Sequence, residues 1–468
     1  MQILSASFLL LILPLSLVLY WGLLRSNRSK LWFLLLLSYL FYFLADSRYI
    51  LLLIGLSLLT YLVAGKRVYW IGILVNILAI TTFKVWGASF GPLLAILDTI
   101  GLKFNPATLG LAVPLGLSYY VFKYISYLVD VHKNRYPASR DWLTFFVYGA
   151  LFAEISAGPI SIFSNISPQL NNLPERWNNQ SSVNGLLHLA IGIGKKVLLV
   201  ESLAPVLGMI IFKTEGPKSG LLNIWLLTFL QGLFLYLDFS SYSDIALGLG
   251  YLFGLTLPPN FDSPYLSKNP SQFWQRWHIT LSTWFRIYVF SPLSRLLITR
   301  FGPNWRFVSQ VIANLVTMTM VGLWHGFQSG FILWGVYHGV LLSIHAWSVQ
   351  KHFRWVDTWI SQAATLVAVF VGWVFFYSTS TVNLLAKLQS MIGLSGLGRI
   401  NPIIREIPPN LYIPLLVIIP IAFSRYAEAS ALVQFNHQSK KLAVFAGILL
   451  AITLLLLGEP GDFAYVQF

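Results

Sequence analysis

Between Phe307 and Gln350 the chain carries no Asp, Glu, Lys or Arg, yet it holds three histidines, His325, His338 and His345. A bilayer core is crossed by about 20 apolar residues of helix, so the run is long enough for two spans and a tight turn. The turn is expected at residues 326–330. Gly322, Gly326 and Gly330 recur at every fourth position, as do Gly335 and Gly339, and small residues at that spacing let helices approach closely. An ionisable group at membrane depth is costly, by about 2.5–3.5 kcal/mol for a charged group on insertion scales. His325 is therefore either a neutral imidazole tied to a helix carbonyl or part of a polar path.

The rest of the chain shares this character. Of 468 residues 56% are hydrophobic and 10% charged, against about a quarter charged in soluble proteins. Apolar stretches separated by short basic links imply an all-α polytopic integral membrane protein with no large soluble domain. Cysteine is absent, which excludes disulfides, thiolate metal sites and thiol nucleophiles. The net charge of +15 is scattered through loops, which fits basic loops on the cytosolic side of a cell membrane and not a nucleic-acid partner.

Charge placement sets the expected topology. Residues 3–24 read as a retained span, and Arg25, Arg28 and Lys30 behind it put the N-terminus outside. Lys66 and Arg67, then His132, Lys133, Arg135 and Arg140, mark further cytosolic loops. The count comes to about eleven crossings, with a range of about 9–13, plus re-entrant and interfacial helices. Residues 87–108 read as an outer interfacial segment. The chain is treated as a single membrane domain, 1–468, with N-terminal helices over 1–108, a motif-bearing core over 109–350 and C-terminal helices over 351–468.

Three stretches carry local chemistry. Ser156-Ala157-Gly158-Pro159-Ile160 should break a helix inside the membrane, since Pro lacks a donor and Gly relaxes the backbone. A span over 221–237 is expected to end at Asp238-Phe-Ser-Ser-Tyr-Ser-Asp244, whose two carboxylates suggest a polar pocket. Asn269 before Pro270 predicts a helix start, with the helix running to about Phe290. On one continuous helix Gln275, His278, Ser282 and Arg286 share a face, and Trp277, Leu281, Trp284 and Tyr288 form a stripe beside it. An interfacial helix anchored by Trp and Arg accounts for the same pattern. Gly192-Ile-Gly194-Lys195-Lys196 lacks the spacing of a P-loop, and no histidine pair has the i, i+4 spacing of a zinc site. No metal is expected.

Taken in order, several blocks resemble the membrane-bound O-acyltransferases, and within them the bacterial branch containing the alginate O-acetylation membrane protein and the teichoic-acid D-alanyl transferase. They are Val113-Pro-Leu-Gly-Leu-Ser-Tyr119, Ala157-Gly-Pro159, Gly194-Lys-Lys-Val197, Asp238-Phe-Ser-Ser-Tyr-Ser-Asp244, Leu257-Pro-Pro-Asn-Phe261, Phe273-Trp-Gln-Arg-Trp-His278 and Gly322-Leu-Trp-His-Gly326 with Phe331-Ile-Leu-Trp-Gly335. The resemblance implies a ring of tilted helices around a central channel. It assigns catalysis to His325 and makes His278 the second active-site candidate. Departures are Ser329-Gly330 in place of a Trp-Asn pair, Ile287 in place of an Asp after Arg286, and Tyr377 in place of an Arg.

The implied reaction is transfer of an acyl group, acetyl first, from a cytosolic thioester to hydroxyls of an exported polysaccharide or cell-envelope glycan. The donor is acetyl-CoA or an acyl carrier protein thioester, acting as co-substrate with no bound cofactor. A histidine titrating near neutrality suits the general base, here His325. Donors to the developing oxyanion are sought in His278 first, with the Trp274 and Trp277 indoles or Arg286 as the other candidates. Gln275, Ser282, Trp324, Asp238 and Asp244 are candidates for substrate binding or channel lining. Expected partners are the lipid bilayer, the glycan and a periplasmic or extracellular companion or carrier protein. The rival reading is a transporter or channel for an envelope precursor with His278 and His325 as proton relays.

Overall fold

The structure, a computed structural model, describes residues 3–88, 113–214, 220–353, 358–378, 380–398, 409–425, 428–435 and 440–456. Among them all regular secondary structure is helical, with no strand. Six helices are long and apolar enough to cross a bilayer, and four shorter apolar helices accompany them. Leu36, Leu51 and Leu62 stand exposed along them, as expected where lipid replaces water as solvent. The chain is an all-α polytopic membrane protein. The interfacial segment expected over 87–108 lies almost wholly outside the described residues.

The helices divide into two compact units. The first comprises Met1–Leu189 and Ile245–Pro258. Its helix Asn27–Asp46 starts on the Ser26 side chain, which accepts from the Ser29 amide, an N-cap that satisfies one orphan donor of the first turn. Asp141 does the same for Trp142–Ala150. Loops assigned by charge to one side of the membrane meet here: Arg28 pairs with Asp141 at 2.9 Å, and the Tyr61 hydroxyl donates to the Arg140 carbonyl at 3.1 Å. Burial acts to raise the Asp141 carboxyl, but hydrogen bonds from Thr144, Arg28 and the Leu143 amide together hold it below the usual carboxylate range.

The chain is irregular over the expected break at residues 156–160, but the helix ends earlier, at Ala150, and not at Ile155. The Trp142–Ala150 helix stops, and residues 151–162 run as turns and irregular chain before the helix Phe163–Asn171. Its polar groups find partners: the Ser38 hydroxyl accepts from the Phe152 amide, and Glu154 binds Lys123 at 2.6 Å and accepts from the Ser161 hydroxyl. A Cβ on Gly158 would lie 2.4 Å from the Glu154 Cα, so only glycine fits the turn. Irregular backbone in this setting persists because protein surrounds it.

The second unit comprises Ala190–Asp244 and Pro259–Phe468. The helix expected to end at Asp238 continues instead as Leu221–Leu252. Asp238 is ion-paired with Lys196 at 2.9 Å and Asp244 with Lys195 at 2.8 Å. Paired charges carry no need for a break to reach water. The uncharged run folds as expected, into helices Arg306–His325 and Ser329–Gln350 around a three-residue turn. Glycine permits their contact, since a Cβ on Gly322 would lie 2.2 Å from the Phe331 carbonyl oxygen and one on Gly335 2.3 Å from that of Met318.

Asn269 and Pro270 start a helix as expected, with Asn269 accepting from the Gln272 amide at 2.8 Å. The helix does not run on to Phe290. It ends at Arg276, restarts as Ile279–Phe285 and widens into a π-helical stretch, Arg286–Phe290. His278 stands in the gap with φ 42° and ψ 56°, a left-handed conformation rare for a residue bearing a Cβ.

Candidate active site

His325 is the last residue of its helix. Its imidazole is boxed by aromatic rings, with centroids at 4.5 Å to Trp324, 5.0 Å to Phe376 and 5.4 Å to Trp334, and the residue is 7% exposed. His278, 1% exposed, meets the Phe239 ring edge-on at 4.7 Å and faces Trp324 at 6.1 Å. One indole, Trp324, is therefore shared by both histidines. His278 lies outside the long apolar spans, and burial pushes its imidazole down to about 3. It is a neutral ring at physiological pH, able to donate one N–H.

His338, also from the uncharged run, is engaged differently. The Trp274 indole N–H donates to its Nδ1 at 3.3 Å, which leaves the ring proton of the neutral form on Nε2. That edge faces Gly372, where a Cβ would sit 2.8 Å from Nε2. His338 orients Trp274 and packs against Trp334 at 5.0 Å.

Beside this cluster lies a cavity of about 850 Å³. Gln275, Ser282 and Arg286 line it, as does Trp274. The break therefore splits the expected common face: three members turn to the cavity, and His278 turns to Trp324. Ile279 and Val321, the first next to His278 and the second one turn before His325, also line the wall. Arg306, Asn314 and His345 are among the further polar groups of the lining, and sequence reasoning did not single them out as binding groups. Arg306 had a signal, since it is the last charge before the uncharged run.

Other candidates are placed elsewhere. Asp238 and Asp244 do not open a pocket: they are buried in ion pairs, with Ser240 also accepting from Lys195 and the Ala429 amide donating to Asp244. Trp277 packs among Trp373, Phe261 and Phe273 and does not line the cavity. Glu428 was missed altogether; it accepts from the Tyr236 hydroxyl and the Ser263 amide. Among the described residues no group of three His, Asp or Glu side chains could hold a metal.

A neutral imidazole, a second imidazole across one indole and a nearby cavity with two arginines in its wall suit acid–base chemistry on a bound acyl group. The profile of the membrane-bound O-acyltransferase family matches residues 8–387. The chain belongs to this family. It is thus an acyltransferase. A Pseudomonas putida protein described as a "probable alginate O-acetylase" is 32% identical over 428 residues, covering 88% of this chain and 84% of that one. The peptidoglycan O-acetyltransferase of Helicobacter pylori is 29% identical, covering 79% of this chain and 75% of its own. The teichoic acid D-alanyltransferase of Streptococcus thermophilus is 28% identical over 55% of this chain and 64% of its own.

Proposed function

We propose that this acyltransferase moves an acetyl group from a cytosolic thioester to hydroxyls of an exported polysaccharide or cell-envelope glycan, with His325 as general base. The observation that carries the reading is the convergence of His325 and His278 on Trp324 beside a cavity whose wall includes Ile279, next to His278, and Val321, one turn before His325. The relatives' names, an alginate O-acetylase and a peptidoglycan O-acetyltransferase, support the acceptor class.

In the proposed step the hydroxyl oxygen attacks the thioester carbonyl carbon and His325 takes the hydroxyl proton. Charge builds on the carbonyl oxygen, and the neutral His278 N–H donates to it. When the carbon–sulfur bond breaks, the proton held by His325 passes to the leaving thiolate. Trp274, one of the two indoles considered as oxyanion donors by sequence, gives its N–H to His338 instead. It serves as cavity wall.

The donor site is the cavity. Its volume of about 850 Å³ and the pair Arg286 and Arg306 suit a phosphate-bearing thioester, acetyl-CoA or the phosphopantetheine arm of a carrier protein. Neither arginine makes an ion pair among the described residues. The basic loops then face the cytosol and the N-terminus lies outside, in the cell membrane. A secreted or anchored companion would receive or present the glycan on the outer side.

The deciding experiment measures acetyl transfer in membrane vesicles carrying His325→Ala. Loss of transfer with normal insertion is expected; a proton-relay transporter would instead keep transfer and lose transport. Full transfer by that variant would overturn the enzyme mechanism.

A further inference from the structure

His278 holds a backbone conformation that its own sequence does not favour. A left-handed residue with a Cβ persists only where surrounding structure over-determines it, and such residues gather at working sites. The gap around it also opens two backbone groups, the carbonyl of Arg276 and the amide of Ile279. One short segment closes both: the Asp262 amide donates to the Arg276 carbonyl at 3.0 Å, and the Ile279 amide donates to the Asn260 carbonyl at 2.8 Å.

Asn260 adds a third bond from its side chain. Its Oδ1 accepts from the Thr280 hydroxyl at 2.6 Å, two residues past the histidine. Asn260 is 0% exposed, and its Nδ2 has no hydrogen-bond partner among the described residues. A buried amide with an idle NH2 group is costlier than an apolar residue of that size. What it offers in return is the acceptor that ties down the first turn after His278. Phe239 packs edge-on against the imidazole at 4.7 Å.

We infer that Asn260 is a positioning residue for His278: its carbonyl and its side chain together clamp the helix restart, so that the imidazole stays aimed at Trp324 during acyl transfer. Asn260 touches no substrate and acts through His278. The inference rests on the proposed role of His278 in the reaction.

The test uses the full-length protein in vesicles that carry the cell's own envelope glycan, with acetyl-CoA as donor and thiol release as the signal. Asn260→Leu should lower kcat by about 10- to 100-fold, the scale of a misplaced catalytic group, and leave KM for acetyl-CoA within about twofold. Because the two residues act as a unit, adding Asn260→Leu to His278→Ala should change the rate by less than about twofold. Thr280→Val, which deletes only the hydroxyl partner, should reproduce a smaller kcat loss, and Thr280→Ser should restore it. This pair serves if Asn260→Leu does not accumulate. Parent-level kcat in Asn260→Leu, or losses that multiply with those of His278→Ala, would overturn the inference.

Amide exchange over residues 277–281 separates this idea from the reaction it rests on. If His278→Ala transfers acetyl at the parent rate, the catalytic reading of His278 fails. The clamp is then still tested by faster exchange at the Ile279 amide in Asn260→Leu. Unchanged exchange refutes it.

Discussion

The Arg306–His325 and Ser329–Gln350 hairpin and the broken helix over 270–290 each bring an imidazole to Trp324, by opposite means. His325 rides at the end of a regular helix whose glycines seat it against a partner, so its position follows from helix geometry and close packing. His278 sits where helix geometry fails, in a left-handed residue bracketed by backbone bonds from Asn260 and Asp262. The first arrangement tolerates side-chain change at the histidine, because the helix stands without it. The second stores strain in the histidine itself, and the loop that brackets it must resist relaxation.

The largest expected contrast is in rate. His325→Ala should lower kcat by about 10³-fold or more, as for loss of a general base, and His278→Ala by about 10²- to 10³-fold, as for loss of one oxyanion donor. Single-turnover acetyl transfer measures both. Equal losses that do not add would mean that the two rings work as one unit.

A smaller effect is expected at the cavity, which neither histidine lines. Arg286→Gln with Arg306→Gln should raise KM for acetyl-CoA by about tenfold with kcat nearly kept, the signature of lost ground-state binding. A kcat loss of that size with unchanged KM would argue against donor binding there.

Strain gives a third contrast. At position 278 glycine should be more stable than alanine by about 1 kcal/mol, because it adopts positive φ without steric cost. At position 325 the order should reverse, since a helix favours alanine. Thermal unfolding in detergent compares the two pairs. The same order at both positions would remove the distinction drawn between the regions.

The smallest effect belongs to Asp141, far from either histidine in sequence. Its depressed carboxyl contributes stability that is fully present above the unfolded pKa, about 3.9, and is lost as pH falls through the lower folded pKa. The unfolding difference between the parent and Asp141→Asn should therefore shrink below about pH 4. Partial exposure keeps it modest. A difference that grows on acidification would contradict this sign.

Much of the scaffold was legible before any coordinates. The uncharged run named its own hairpin, Asn269 and Pro270 named a helix start, and Gly158-Pro159 named a break. Each signal is local, a cap, a glycine or a missing charge, and local rules reach that far. Three readings went astray because their deciding partners lie far along the chain. Asp238 and Asp244 looked like a pocket until Lys195 and Lys196 neutralised them. Gln275, His278, Ser282 and Arg286 share a face only if the helix is continuous, and it is interrupted by bonds to Asn260 and Asp262. Trp274 looked like a free donor until His338 accepted its N–H.

Composition and charge order alone determined that this chain lives in a bilayer as helices, because long uninterrupted apolar stretches can satisfy their backbone hydrogen bonds there only within the segment, whereas a closed barrel needs short strands of alternating polarity. The ordered blocks fixed its kinship and singled out His325 and His278. Which face His278 presents, and which acids are tied up and which basic groups remain for a ligand, was decided only by tertiary structure. A one-residue change of φ redirects a side chain, and ion pairs form between residues dozens of positions apart, so neither leaves a periodic trace in the sequence.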